Sequence, residues 1–258
     1  MIDTHCHLDS VAFSPDREAV LARARAAGVA EIVVPAVAPA GWEPLVDWAR
    51  GREGIHVALG IHPQLLPELS ADDDERHLAR LDALLGTGAA IAVGECGLDA
   101  ATARLVPMER QGRGLEAHAA LARRHGLPLL VHCLRAHDEL LALFRAGLMP
   151  PTLLHSFSGS GEQARQYCAW EVWFAFAGPI TYENAKKPAA AARAVSRERL
   201  LVETDAPDQT PRPHRGRCEP AHLVEVVGGL ARALAAEPEE IAELTARNAR
   251  TALRLSSS

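Results

Sequence analysis

Six residues of this chain are of types that bind divalent cations, and each closes a short apolar run: His5, His7, Glu95, His132, His155 and Asp205. Met1-Ile2-Asp3-Thr4-His5-Cys6-His7 reads as a strand carrying an H-x-H pair. Side chains alternate along a strand, so His5 and His7 point to one side and form half a metal site. Residues 89–94 lead into Glu95, 127–131 into His132, 151–154 into His155 and 199–204 into Asp205. Four imidazoles and two carboxylates suit borderline cations such as Zn²⁺, Mn²⁺, Ni²⁺ or Co²⁺, and Mg²⁺ is compatible with the carboxylates. A lone histidine at a strand end is more often structural than a ligand. The weight here lies in the recurrence of ligand types at the ends of several strands.

A fold that gathers the carboxyl ends of parallel strands around one pocket would bring all six together. That fold is the (β/α)₈ TIM barrel, whose chemistry sits at that end. Strands are expected near residues 1–7, 31–37, 55–61, 89–94, 127–132, 151–155, 171–177 and 199–204, with helical stretches between them. A helix is expected over 15–27, with Ser14 as N-cap, Pro15 in its first turn and Gly28 closing it. Another spans 108–125 and ends at Gly126. Leu223, Val224, Val227, Leu230, Ala231 and Leu234 keep the spacing of one buried helical face, and a final helix covers 238–254. The Ala-rich stretch 189–195 reads as a surface helix and 256–258 as a frayed tail. Loops rich in Gly and Pro are expected over 60–67, 94–107, 156–161 and 206–220, the last long enough to suggest function.

The chain has 258 residues, close to the usual length of one such barrel, and no composition break, so one domain over 1–258 is expected. Mean hydropathy is -0.03, and no apolar run approaches the ~20 residues that span a membrane. The first strand begins at residue 2, which leaves no room for a signal peptide, and the expected compartment is the cytoplasm. Five cysteines without C-x-x-C spacing read as reduced thiols, with Cys6, Cys96 and Cys133 as small buried hydrophobes. A net charge of -6 argues against coating duplex DNA and leaves room for a small basic pocket. No obligate protein partner is evident.

Six of the other histidines divide by position. His77, His118, His125 and His222 lie in helical stretches and read as surface residues, and His56 begins a strand at the far end of the barrel. His62 differs, because Gly60-Ile61-His62-Pro63 leaves the third strand at the active end, where it is a candidate for substrate contact.

His5-Cys6-His7-Leu8-Asp9, Gly60-Ile61-His62-Pro63, Gly94-Glu95-Cys96-Gly97-Leu98-Asp99, Glu109-Arg110-Gln111, His155-Ser156-Phe157-Ser158-Gly159 and Glu203-Thr204-Asp205-Ala206-Pro207 follow in order along the chain. Together they resemble the TatD family of metal-dependent hydrolases and deoxyribonucleases. The segment from His132 to Leu140 looks like a less-characterised bacterial branch of it. The resemblance implies an amidohydrolase-like barrel with two divalent cations. It assigns His5, His7, Glu95 and Asp205 to the first, and Glu95, His132 and His155 to the second. Glu95 would bridge them, which offsets repulsion between cations roughly 3.5–4 Å apart. A water between them would be acidic enough to yield hydroxide, and Asp205 would take its proton. Glu95 and Asp205 are therefore the expected catalytic residues.

Two positions depart from the family pattern. Asp208 stands where many relatives have an aromatic residue that stacks a base, and Cys218 replaces an asparagine in Arg217-Cys218-Glu219-Pro220. Arg212, Arg215 and Arg217 still place positive charge on that loop, and Arg135 follows His132. All four are candidates for bidentate phosphate capture, the alternative being solvated loop residues. The expected activity is phosphodiester hydrolysis on short single-stranded or 3′-end DNA, a substrate taken from the resemblance. The alternative is hydrolysis of a small cyclic amide, ester or lactone, which the same metals serve and which the acidic charge and Asp208 favour. A barrel kept only for metal or protein binding is a third reading, opposed by the complete ligand set.

Overall fold

The computed structural model describes residues 1–255; residues 256–258, expected as a frayed tail, lie outside the described residues. Eight parallel strands form one sheet in chain order: β1 Ile2–Asp3, β2 Glu31–Ala36, β3 Ile55–Leu59, β4 Ala92–Asp99, β5 Leu129–Leu134, β6 Thr152–Leu154, β7 Val172–Phe176 and β8 Leu200–Val202. The helices among the described residues are α1 Arg17–Ala26, α2 Trp42–Ala49, α3 Asp74–Leu85, α4 Met108–His125, α5 His137–Arg145, α6 Gly161–Tyr167, α7 Lys186–Ala194, α8 Leu223–Leu234 and α9 Pro238–Leu253. None is long and apolar enough to cross a membrane. The order is that of a (β/α)₈ barrel.

Strands in a parallel barrel are covered on both faces, which is why they read as apolar runs without alternation. Val33, Ala58, Ala92, Leu130, Leu153, Trp173 and Leu201 point inward from successive strands and pack together. Ala249, Ala252 and Leu253 of α9 join them and plug the end opposite the site. Their neighbours Ile32, Val34, Leu129 and Val131 pack outward against the helices. β8 and β1 meet without a regular ladder. The Thr4 N–H donates to Val202 O at 3.3 Å and the Asp205 N–H to His5 O at 2.9 Å. Across the same seam the buried Asp3 carboxylate accepts from the Thr204 N–H and hydroxyl at 2.9 and 2.6 Å.

Several expected boundaries shift. β1 ends at Asp3, so His5 and His7 lie past the strand, on the segment crossing to the α1 side. β4 extends to Asp99 rather than stopping at 94, so the first part of the expected 94–107 loop is strand. Its register slips between Val93 and Cys96, where three steps along β4 match two along β5. This β-bulge re-aims the strand at Glu95. Gly97, at φ 149°, is needed just beyond it, since a Cβ there would lie 1.9 Å from His132 O.

Before α1, residues Val11–Phe13 make a 3₁₀ turn that Ser14 closes, so the N-cap position falls to Asp16. The Asp16 carboxylate caps nothing, because Arg23 and Arg217 hold it. α4 has its expected bounds, with Gly126 left-handed at φ 66°. On α8, Val226 is buried and Val224 is 41% exposed, so the buried face is rotated from the expected one. α7 is only partly a surface helix, as Ala191 and Ala192 are buried. His118 is also buried. Its Nε2 accepts from the Ile61 N–H at 3.1 Å, which ties α4 to the turn bearing His62.

All five cysteines are unpaired; Cys6, Cys96, Cys133 and Cys218 are buried and Cys168 is exposed. Burial pushes the Cys133 thiol up to about 12. A thiol-reactive dye should therefore titrate about one cysteine of the five in the native protein and all five after denaturation. Fast labelling of two or more native thiols would contradict this packing.

Candidate metal centre

The carboxyl ends of the strands surround a cavity of about 530 Å³ whose lining includes His7, His62, Glu95, His132, His155 and Asp205. The Glu95 side chain, 2% exposed, lies at its hub. Glu95 Oε2 faces His5 Nε2 at 3.2 Å and His7 Nε2 at 3.7 Å. Glu95 Oε1 faces His62 Nε2 at 3.1 Å, His132 Nδ1 at 3.3 Å and His155 Nε2 at 3.7 Å. Asp205 Oδ1 lies 3.5 Å from His7 Nε2 and 3.7 Å from both His5 and His155 Nε2. The two oxygens of one carboxylate thus address two groups of imidazoles.

All six residues singled out from the sequence converge here, and so does His62. Glu95 comes from the bulge in β4 and His132 from within β5. His155 and Asp205 follow β6 and β8. His62 was expected only near substrate, yet it is closer to Glu95 than His155 is.

Sequence reasoning missed the groups that orient these side chains. His155 Nδ1 lies 2.8 Å from Glu203 Oε1, which also accepts from the Ser156 N–H at 2.6 Å. His132 Nε2 lies 3.3 Å from Asp99 Oδ2, which accepts from Gln64 Nε2 at 2.7 Å. Gln209 Nε2 donates to Asp205 Oδ2. Metal-bound histidines usually present their other nitrogen to a carboxylate or carbonyl. Glu203 and Asp99 stood inside the quoted motifs, so that rule was the available signal. Gln64 and Gln209 carried none, because only the folded loops bring them in.

Burial opposes charge throughout the site; it prevails at His5, where desolvation and the neighbouring His155 lower the pKa, and attraction overrides it at Glu95, Asp205, His7 and His155. Desolvation disfavours the Glu95 carboxylate, but His62, His5 and His155 outweigh it and hold its pKa well below the ordinary range. For Asp205 burial likewise works against ionisation, and His155 and His7 bring it down to about 2. Burial lowers His7 and His155, yet facing carboxylates raise them to about 9 and about 10. The carboxylates demand positive charge, and protons or cations can supply it.

The donor chemistry fits divalent cations. Glu95 Oε2 and His5 Nδ1 are buried with no hydrogen-bond partner. His5 and His7 bring their Nε2 atoms within 3.1 Å of each other, as two donors to one ion do. His5, His7 and Asp205 offer one set of converging atoms, and His62, Glu95 and His132 offer a second. Glu203 and His5 join His155 in a third grouping, and His155 Nε2 lies 3.7 Å from both Glu95 Oε1 and Asp205 Oδ1.

The arginines separate. Arg135, left-handed at φ 55°, lies exposed in a recess that shares Leu134 and Ser158 with the main cavity. Arg212 is exposed, with its guanidinium 5.7 Å from the Tyr182 ring centroid. Arg215 is exposed on the same loop. Arg217 bonds Asp16 at 2.8 Å, Glu219 at 2.7 Å and Ala12 O at 2.7 Å. Those contacts fasten the loop to α1 and leave Arg217 out of the cavity wall. Asp208 lines the cavity, and Cys218 is buried beneath the loop.

A model of the family described as TatD related DNase matches residues 2–254. The chain is 31% identical to an uncharacterized metal-dependent hydrolase, YabD, of Bacillus subtilis, over 99% of both chains. It is 33% identical, over 96% of both chains, to a Cronobacter sakazakii protein named 3′-5′ ssDNA/RNA exonuclease TatD. The crystal structure of YjjV, a TatD homolog from Escherichia coli, superposes with a TM-score of 0.90 at 33% identity, covering 99% of this chain and 98% of that one. With a family match over residues 2–254 and relatives above 30% identity along nearly the whole chain, the protein belongs to the TatD family.

Proposed function

We propose that this protein is a divalent-metal-dependent phosphodiesterase that removes nucleotides from the 3′ end of single-stranded DNA, one barrel domain acting in the cytoplasm. The observation that carries the reading is the buried Glu95 carboxylate, each of whose oxygens faces a separate group of imidazoles. Two ions per chain follow, with Glu95 shared. His5, His7 and Asp205 would hold the first, and His132 and His155 the second, with His62 close enough to join it. Bound there, such ions supply a Lewis acid for a phosphoryl oxygen and hydroxide at neutral pH. Asp205 presents Oδ1 to the imidazoles, and on this reading its carboxylate accepts a proton from the attacking water. Glu203 and Asp99 hold the rings of His155 and His132 in their working orientation. Arg135, Arg212 and Arg215 stand at the mouth as cations for phosphate, whereas Arg217 serves the loop itself. Relatives named as 3′-5′ ssDNA/RNA exonucleases support the polynucleotide substrate. The unpaired cysteines support the compartment.

Asp208 in the cavity wall supports a second reading, because a carboxylate there repels phosphate and tolerates a neutral cyclic amide, ester or lactone.

Metal analysis of protein dialysed after loading with Mn²⁺ or Zn²⁺ should return close to two ions per chain. A protein that neither retains nor titrates either ion would remove the basis of both readings.

Asp205→Asn should keep the fold and lower the rate on a fluorescent single-stranded oligonucleotide by about 10²–10⁴, the scale of lost general acid–base catalysis. Glu116→Gln, at an exposed position of α4, is the control. Equal rates in the two variants would sink the assignment.

Arg135→Gln and Arg215→Gln should raise KM for the oligonucleotide, with the gap from wild type closing as salt is added. Arg217→Gln should leave KM unchanged and lower the melting temperature. A salt-independent KM that ignores Arg135 and Arg215 would favour the small-molecule hydrolase.

A further inference from the structure

Three residues in the cavity wall between β6 and β8 have left-handed backbones: Ser156 at φ 41°, Asp205 at φ 57° and Gln209 at φ 50°. Few non-glycine residues adopt that region, and they keep it only where their surroundings over-determine it. Here the three are joined by side-chain hydrogen bonds. The Ser156 hydroxyl donates to Gln209 Oε1 at 2.9 Å, and Gln209 Nε2 donates to Asp205 Oδ2. The polarity of this relay is fixed by chemistry. A carboxamide has an acceptor at one end and a donor at the other, and a carboxylate only accepts. With the hydroxyl on its oxygen, the amide must turn its NH₂ to Asp205. The Ser156 N–H meanwhile donates to Glu203 Oε1, which faces His155 Nδ1. Backbone packing holds the far end too, since a Cβ on Gly178 would lie 1.6 Å from Gln209 O.

From this geometry we propose that Ser156 and Gln209 are positioning residues that set the plane of the Asp205 carboxylate. They hold Oδ2, so that Oδ1 stays turned toward His5, His7 and His155. Through Ser156, the same relay ties Asp205, just past β8, to the Glu203–His155 contact that joins the ends of β8 and β6. Without the amide, the carboxylate rotates about its last bond and meets a cation in the wrong plane. This rests on the metal-centre reading above, but not on the identity of the substrate.

The test uses Gln209→Met, Ser156→Ala and the double variant, each checked for wild-type thermal unfolding. Mn²⁺ affinity is measured by competition with a chelating dye, and kcat and KM on single-stranded DNA separately. Gln209→Met should weaken Mn²⁺ binding by about 10–100-fold, the range for groups that orient metal ligands. Ser156→Ala, which leaves the amide in place but unanchored, should cost about 3-fold. The double variant should be no worse than Gln209→Met alone, because both act through one contact, whereas independent sites would add. In turnover, kcat should fall while KM holds. Unchanged Mn²⁺ affinity in folded Gln209→Met, or additive losses, would overturn the relay. So would a change confined to KM, which would make Gln209 a substrate contact. Should Gln209→Met not fold, unchanged Mn²⁺ affinity in Ser156→Ala would still count against it. If wild type binds Mn²⁺ but leaves DNA intact, the nuclease reading fails and the affinities still judge the relay.

Discussion

A carboxylate buried where the carboxyl ends of the barrel strands converge is the constraint around which this molecule is arranged. Such a group cannot keep its charge unless positive partners replace the water it has lost. Glu95 has five imidazoles within 3.7 Å, drawn from the ends of β1, β3, β5 and β6. No local stretch of chain supplies five donors around one point. Only strands that end side by side do so, and the barrel is the arrangement that makes eight strands end side by side. The bulge in β4 is part of the same requirement, because a regular strand would not aim residue 95 into the ring of imidazoles.

Closure of the barrel and construction of the site are one event at the seam between β8 and β1. Asp3 accepts from the backbone of His5 at 3.3 Å and from Thr204 through both its N–H and its hydroxyl. The Asp205 N–H donates to His5 O, and the His7 N–H to Ala206 O. The residues that fix the seam are therefore the immediate neighbours of His5, His7 and Asp205. Opening the seam would separate the H-x-H pair from Asp205. The site is thus positioned by the last strand pairing that completes the fold, rather than by any single element.

This division explains what the sequence revealed. His5, His7, His132, His155 and Asp205 were legible because each follows an apolar run and is a chemically distinctive residue type. The eight strands were legible because burial on both faces leaves continuous apolar stretches. Boundaries were less so: β1 ends early because only Ile2 and Asp3 pair with β2, and β4 runs on through a bulge that no periodicity announces. His118 was misread as surface because helix spacing says which residues share a face but not that the Ile61 N–H lies behind it needing an acceptor. Arg217 was read as a free cation because its partners Asp16 and Glu219 become common neighbours only when the loop folds back on α1. Gln209 could not be found at all, as its meaning depends on Ser156 and Asp205 arriving from different strands.

The distribution of charge also bears on the kind of substrate the cavity admits. The chain carries a net charge of -6, which repels a polyanion at long range. Several arginines are spent internally, as Arg23 and Arg217 are on Asp16 and Glu219, and Arg110 is on Asp74. They do not add up to a basic track on which a duplex would lie. Two divalent ions, on the proposed reading, would concentrate four positive charges within one cavity of about 530 Å³. A field that is repulsive outside and strongly attractive within one Debye length of the mouth favours a chain end that can be inserted over a continuous backbone that must be gripped along its length. On that reading the exposed Arg135, Arg212 and Arg215 would meet the incoming phosphates, while Asp208, which lines the cavity, would oppose them. On the proposed reading, binding of a polynucleotide end would depend on the ions more than on the surface, and the wall that carries Ser156, Asp205 and Gln209 would decide which ends enter.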